Sequence, residues 1–310
     1  LLGNSVIGSD ETTAIDKNYI SVPVQKPADG VNRKGETYTY SLNDASVGDL
    51  DGDGEYEIIV KWYPSNAIDS SQSGLTGPTI FDAYKLDGTL LWRMNMGLNL
   101  TSGAHYNQFL VYDFDGDGRS EVFVKTADGT TVYSTTNGIF DENKIICRIG
   151  NPDDNGKYVN DDGKIAGGPE YISIFDGETG EVIDTIDYEF PVNYNPEAWG
   201  DGYYNRSDRF LAAVAYLDGK TPSAVFGRGY YERTTFVAYK LVDGKLVTEW
   251  IFDTDKDGKQ YMGLGNHNLS VADVDNDGCD EIIAGASHWT MTVPCYMPWT
   301  ADEPRKRLPR

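Results

Sequence analysis

The stretch Val47-Gly48-Asp49-Leu50-Asp51-Gly52-Asp53-Gly54-Glu55-Tyr56-Glu57-Ile58-Ile59-Val60 decides the fold. It returns as Val111-Tyr112-Asp113-Phe114-Asp115-Gly116-Asp117-Gly118-Arg119-Ser120-Glu121-Val122-Phe123-Val124. It returns again as Val271-Ala272-Asp273-Val274-Asp275-Asn276-Asp277-Gly278-Cys279-Asp280-Glu281-Ile282-Ile283. Each copy reads Asp-x-Asp-x-Asp-Gly-x-x-Glu and then a short apolar run. Aspartates at every second position can converge several oxygens on one point, and the glycine after the third Asp permits a tight bend. Hard oxygen ligands in that number suit Ca2+. An EF-hand is excluded, because its twelfth position must be a bidentate Glu between two helices. Here the twelfth positions are Val60 and Val124, and Ile58-Ile59-Val60 is β-branched, the composition of a buried strand. The copies therefore read as strand-loop-strand clips. Asp-Gly turns alone explain the bends but not three aligned carboxylates plus a Glu.

The candidate structural calcium ligands are Asp49, Asp51, Asp53, Glu55 and Glu57 in the first clip. The second offers Asp113, Asp115, Asp117, Arg119 and Glu121, and the third Asp273, Asp275, Asp277, Cys279 and Glu281. Several calcium ions are expected. The net charge of -23 argues against nucleic acid or an anionic membrane as partner, and filled clips would offset much of it. No apolar run is long enough to span a bilayer. The three cysteines, Cys147, Cys279 and Cys295, show no metal or redox spacing, so disulfides are not expected to be the framework. Calcium clips fit a secreted or periplasmic, bacterial setting. The chain begins at Leu1 and reads as a fragment.

The chain of 310 residues, 39% of them hydrophobic, can bury a sizeable core. Residues 1–18 read as the end of an N-terminal β module. Tyr19-Ile20-Ser21-Val22-Pro23-Val24 reads as an edge strand, given its Pro. From about Tyr38 a repeat of clip plus hairpin begins. The hairpins are Phe81–Trp92, Ile172–Ile183 and Phe236–Val247, and a degenerate clip, Val214–Lys220, precedes the last and is expected to hold no metal. Strand pairs with a turn in each hairpin match propeller blades, about four of them across 19–286. Polar insertions at 126–168 and 188–209 are expected as long loops on one face. No segment carries the 3.6-residue period of a helix.

After Ala286 the character changes, and Arg305-Lys306-Arg307 is basic in an acidic chain. Back-translated and read from the third base of the His288 codon, this stretch gives Leu-Asp-x-Asp and a further apolar run, the missing half of a blade. A shift of reading frame near Ser287 is the expectation, with 287–310 a non-native tail in which His288 and Cys295 carry no function.

Ser41-Leu42-Asn43-Asp44-Ala45-Ser46 before the first clip, Ser71-Gln72-Ser73-Gly74, Gly103-Ala104-His105-Tyr106 and Lys125-Thr126-Ala127-Asp128-Gly129-Thr130 form a set with Asn205-Arg206-Ser207-Asp208-Arg209-Phe210, Arg228-Gly229-Tyr230-Tyr231 and Gly265-Asn266-His267-Asn268. Together they resemble the rhamnogalacturonan lyases of polysaccharide lyase family eleven, in order from about Tyr19 to Ala286. The resemblance implies an all-β, calcium-rich propeller of eight blades, and cleavage of the pectic polysaccharide rhamnogalacturonan I by β-elimination at galacturonate. It implies an active-site calcium at Asp44 and His267, with Asn43 beside it as a substrate contact. The full-length protein is expected to be a monomer.

Two departures from the family pattern stand out. Tyr63 occupies a substrate-contact position where the family usually carries Asp. The family's Gly-His-Gly-Asp motif and its basic and tyrosyl site groups are absent, so the catalytic residues are expected beyond the end of this chain and the fragment is expected to be inactive. Arg228, Arg209 and Arg233 are candidates for binding uronate carboxylates, or equally for pairing with nearby acids such as Asp208 or Glu232. The competing reading is a non-catalytic, calcium-dependent propeller that binds carbohydrate or protein.

Overall fold

Strand-forming segments dominate because apolar and β-branched residues recur at alternate positions between glycine-rich turns. The computed structural model describes residues 18–192 and 195–285. Among them the only α-helix is the four-residue α1 (Thr254–Asp257), so the all-β class expected from the sequence is observed. The proposed N-terminal module at 1–17 and the tail after residue 285 lie outside the described residues.

A small hairpin, β1 (Gly30–Val31) and β2 (Thr37–Tyr38), comes first. β3 (Tyr40–Gly48) enters the first acidic loop and β4 (Glu57–Pro64) leaves it; β5 (Ile80–Tyr84) and β6 (Leu90–Asn95) complete an antiparallel meander. β7 (Phe109–Tyr112) and β8 (Glu121–Ala127) flank the second acidic loop. The chain then turns back: β9 (Thr131–Thr136) pairs with β6, and β10 (Ile139–Arg148) pairs with β9. The first sheet thus has the order β10-β9-β6-β5-β4-β3.

β11 (Glu170–Phe175) and β12 (Val182–Asp187) complete a second sheet, β12-β11-β8-β7. β13 (Phe210–Ala215), β14 (Ser223–Arg228), β15 (Thr235–Val242) and β16 (Lys245–Asp253) form the third in chain order. β17 (Leu269–Ala272) and β18 (Glu281–Ala284) flank the third acidic loop.

The sheets stack face to face in sequence. Ile59, Phe81, Trp92 and Met94 of the first meet Val111, Val122, Val124 and Phe175 of the second. Phe123, Ile172 and Ile174 of the second meet Phe226, Val237 and Tyr239 of the third. Val225, Phe236 and Ala238 of the third meet Ile282 and Ala284 of the fourth. Period-two alternation explains the division: Ile59 on β4 faces the second sheet, while Val60 and Trp62 face Val22, Val24 and Tyr38.

Two expectations need correction. Tyr19–Val24 joins no ladder; it runs as extended chain against the first sheet, where the Gln25 N–H donates to the Tyr84 hydroxyl at 2.8 Å. Pro23 has no N–H to give a ladder. The insertion at 126–168 is not one long loop, since residues 131–148 of it form the β9–β10 hairpin. Its turn is Asn137-Gly138 with φ of 52° and 74°, the paired left-handed conformation that suits the twist of two strands.

Candidate functional site

The three acidic loops share one backbone. The fourth loop position is left-handed in each, at Gly52 (78°), Gly116 (80°) and Asn276 (62°), and the sixth is Gly54, Gly118 or Gly278 at 90–92°. That curl turns successive N–H groups onto the first aspartate. Gly52 and Gly54 donate to Asp49 at 2.7 and 2.9 Å, and Gly116 and Gly118 donate to Asp113 at 2.7 and 3.0 Å. The ninth-position glutamate closes the loop from below. Glu57, Glu121 and Glu281 each accept the N–H of the second loop residue, Leu50, Phe114 or Val274, at 2.8 Å.

Ligand oxygens of Asp113, Asp115 and Glu121 lie within 4.8 Å of one another, as do those of Asp273, Asp275 and Glu281. In the first loop the converging set is Asp49, Asp51 and Asp53. An all-oxygen donor set of this kind fits a hard divalent cation. Burial, followed by Asp115, Asp113 and Asp117, pushes the Glu121 carboxyl up to about 8. Glu55 is exposed, and its N–H donates to Asp53 at 2.8 Å. Asp117 and Asp277 likewise accept N–H groups of Arg119 and Cys279, at 2.8 and 2.9 Å.

Arg119 and Cys279 cannot be side-chain ligands. The Arg119 guanidinium carries no acceptor and pairs with Glu178 at 2.8 Å, and the Cys279 sulfur is in a disulfide. These positions can offer a cation only their carbonyls. Cys147 is a free thiol.

The loops form a row along one end of the sheets. The Ser120 N–H of the second donates to the Asp49 carbonyl of the first at 2.7 Å. Tyr112 and Tyr216 hydroxyls meet at 2.8 Å, and Tyr216 N–H donates to Asp280 of the third at 2.7 Å. Tyr216 opens the degenerate turn, which therefore fills the third place in the row.

At the opposite end, loops from different sheets bring a second set together. Asn43 is the extra residue of a β-bulge between Leu42, opposite Trp62, and Asp44, opposite Lys61. A bulge re-aims side chains, and here it leaves Asn43 and Asp44 both exposed. Tyr63 is half-buried and donates to the Gly103 carbonyl at 2.5 Å, which anchors the loop carrying His105. Burial and then Asp44 push the Tyr63 hydroxyl up to about 12.

His105 lies 3.4 Å from Asp69, which also accepts from Arg209 at 3.1 Å. The His105 and His267 rings meet edge to face with centroids 5.5 Å apart, and His267 Nε2 is hydrogen-bonded to the Tyr231 hydroxyl at 2.7 Å. Tyr230 also packs against His267, with ring centroids 5.0 Å apart. Among the described residues, Asp44 and His267 belong to no convergent set of three acidic, Cys or His ligand atoms.

Sequence reasoning missed Asp69, which joins His105 to Arg209, and Lys61. Lys61 is 3% exposed beneath this end, and its ammonium donates to the Tyr106 carbonyl at 3.0 Å. Burial pushes it down to about 8 against the pull of Asp44. No local pattern marks either residue.

Arg228 is not a substrate contact. It is 1% exposed and donates to Glu170 at 2.7 Å, to the Phe190 carbonyl at 2.8 Å and to the Ser207 carbonyl at 2.6 Å. Lys125 donates to the other oxygen of Glu170 at 2.5 Å. Burial alone raises the Glu170 carboxyl, but Arg228 and Lys125 overcome this and hold it at about 2. Arg233 is likewise bound to Asp253, at 2.7 and 2.9 Å.

Residues 19–291 match the model of "Rhamnogalacturonan lyase family 11, C-terminal domain". The chain is similar to the rhamnogalacturonan exolyase YesX of Bacillus subtilis, 55% identical over 87% of this chain and 42% of that protein. It is similar to the endolyase YesW of the same organism, 52% identical over 92% of this chain and 44% of that protein. A solved structure of a Bacillus licheniformis rhamnogalacturonan lyase superposes with a TM-score of 0.79 at 57% identity, over 87% of this chain and 44% of that one. The chain thus spans less than half the length of the relatives it matches.

Proposed function

Because the chain belongs to rhamnogalacturonan lyase family 11, we propose that it forms part of an enzyme that cleaves rhamnogalacturonan I by β-elimination. The observation that carries this reading is 55% identity over 271 residues to a rhamnogalacturonan exolyase. The reaction removes the C5 proton of a galacturonate, forms a C4=C5 double bond and expels the oxygen at C4 with its rhamnose. The successive face-to-face sheets are blades of a propeller, and the acidic loops are its structural calcium sites. Both features suit a protein secreted or exported to the periplasm by a bacterium and acting there as a monomer on pectin.

The all-oxygen donor sets of the three loops fit calcium, held by Asp49, Asp51 and Asp53, by Asp113, Asp115 and Glu121, and by Asp273, Asp275 and Glu281. Asp44 and His267 would contribute to holding a further, active-site ion. When bound, such a cation neutralises charge developing on the uronate carboxylate. The bulge presents Asn43 to the sugar. Asp69 and Tyr231 orient the two histidines, and Tyr63 holds the His105 loop in place.

The test is release of unsaturated uronide from rhamnogalacturonan I by the full-length protein, with and without chelator, alongside His267→Ala. Turnover lost on chelation, and reduced about 100-fold or more in His267→Ala with an unchanged melting temperature, is the expected result. Polymer binding with no unsaturated product, in calcium-loaded wild-type protein, sinks the lyase reading and favours a binding propeller.

A further inference from the structure

The degenerate turn is not simply a loop that has lost its ligands. In the register of the sheets Ser223, opposite Ala215, takes the place of the ninth-position glutamates Glu57, Glu121 and Glu281, opposite Gly48, Tyr112 and Ala272. Counting from Tyr216, Asp218 takes the place of Asp51 and Asp115. An ammonium sits against it. Lys240 Nζ lies 2.7 Å from Asp218 and 2.7 Å from Glu249. Glu249 in turn accepts from the Ser223 hydroxyl at 2.6 Å. The remaining acceptors of Asp218 are taken by Lys220 and Thr221 N–H groups at 2.8 Å and by the Thr221 hydroxyl at 2.6 Å. Every oxygen of Asp218 is satisfied by protein donors, one of them cationic.

The first acidic loop carries a lysine at the same place. Lys240 follows Tyr239, which pairs with Ala224; Lys85 follows Tyr84, which pairs with Ile58. Ala224 and Ile58 are the first residues after Ser223 and Glu57. Lys85 pairs with Asp51 and lies 3.9 Å from Glu57, so its ammonium approaches two of the loop's carboxylates. In the second loop the same position, after Phe175 opposite Val122, is Asp176. Among the described residues no ion pair reaches Asp113, Asp115, Asp117 or Glu121.

We infer that Lys85 and Lys240 are tethered cations that stand in for a divalent ion at two of the four equivalent turns. At the degenerate turn the substitution is permanent: Ser223 has removed the ninth-position carboxylate, and Lys240 neutralises what remains. At the first turn it is reversible. The carboxylates are all present, Lys85 is 36% exposed, and a calcium ion must displace its ammonium to bind. The first loop is therefore a weaker calcium site than the second, which faces Asp176 instead. This rests on the calcium reading of the loops given above.

The experiment is calorimetric titration of chelator-stripped full-length protein with CaCl2, comparing wild type with Asp51→Asn, Asp115→Asn and Lys85→Gln. Asp51→Asn is expected to remove a binding step at least about tenfold weaker than the step removed by Asp115→Asn. Lys85→Gln is expected to tighten that weak step by a similar factor and leave the others in place. Lys240→Gln, followed by melting, is expected to lower the melting temperature equally with and without calcium. The inference is overturned by steps of equal affinity that Lys85→Gln does not change, or by a Lys240→Gln variant that melts like wild type. If no calcium binds to any variant, the calcium reading itself fails and takes this inference with it.

Discussion

The two ends of the sheets are built on different principles. At the acidic end each loop is made by consecutive residues. Gly52 and Gly54 curl the chain, and Asp49 takes their N–H groups, all within six positions. At the other end nothing is local. Asp69, His105, Arg209, Tyr231 and His267 come from five separate loops, and the hydrogen bonds that connect them span 36 to 140 residues of sequence. The acidic end gathers carboxylates that its own backbone N–H groups hold in place. The histidine end stands over ion pairs already complete within the protein, such as Arg228 and Lys125 on Glu170. A single fold thus carries one edge made of self-contained loops and one assembled across the sheets.

Removing calcium tests this contrast most severely. Chelation is expected to lower the melting temperature by about 10 °C or more, with the acidic-end strand pairs β3–β4 and β7–β8 losing hydrogen-exchange protection first. Protection lost equally at both ends breaks the comparison.

Glu170→Ala attacks the other end. It leaves Lys125 without its paired carboxylate and Arg228 with only Asp208, 4.0 Å away, and the expected loss is about 3–5 kcal/mol in urea denaturation, the same with or without calcium. A loss that calcium repairs is the contrary outcome. The sign of its pH dependence follows from the lowered Glu170 carboxyl. Its contribution is present above the ordinary carboxylate range and is lost as pH falls towards about 2.

The smallest effect is a pH slope that should exist only without calcium. Glu121 is raised to about 8 in the bare loop, so the folded protein binds a proton there that the unfolded chain has released. Its contribution is full below the unfolded carboxyl range and is lost as pH rises from about 4.5 through about 8. Melting of the metal-free protein at stepped pH should show a decline of a few degrees, and saturating calcium, which binds the ionised form, should remove the Glu121 contribution. Parallel slopes with and without calcium would place the effect elsewhere.

What could be read in advance follows the same division. The three clips, their strands and the fourth, defective turn were visible because every participating residue lies in one short window. The β9–β10 hairpin was readable in principle from Asn137-Gly138 between alternating residues, but the polar composition around it masked the pattern. Arg228 misled because an arginine in a recognisable motif carries no mark of its burial; only the structure shows Glu170 waiting for it, 58 residues earlier. Lys240 was invisible for the same reason, since its partners Asp218 and Glu249 meet it only across sheet pairing.

The sequence by itself determined the all-β class, the positions of the acidic loops and the family, because period-two alternation, turn glycines and aspartate spacing are short-range physics. The tertiary structure alone decided which charges are neutralised from within. A carboxylate's partner is set by whichever strand packs beside it, and that neighbour comes from pairing register and not from spacing along the chain. Asp51 and Asp115 occupy equivalent places in near-identical loops, yet one faces an ammonium and the other does not.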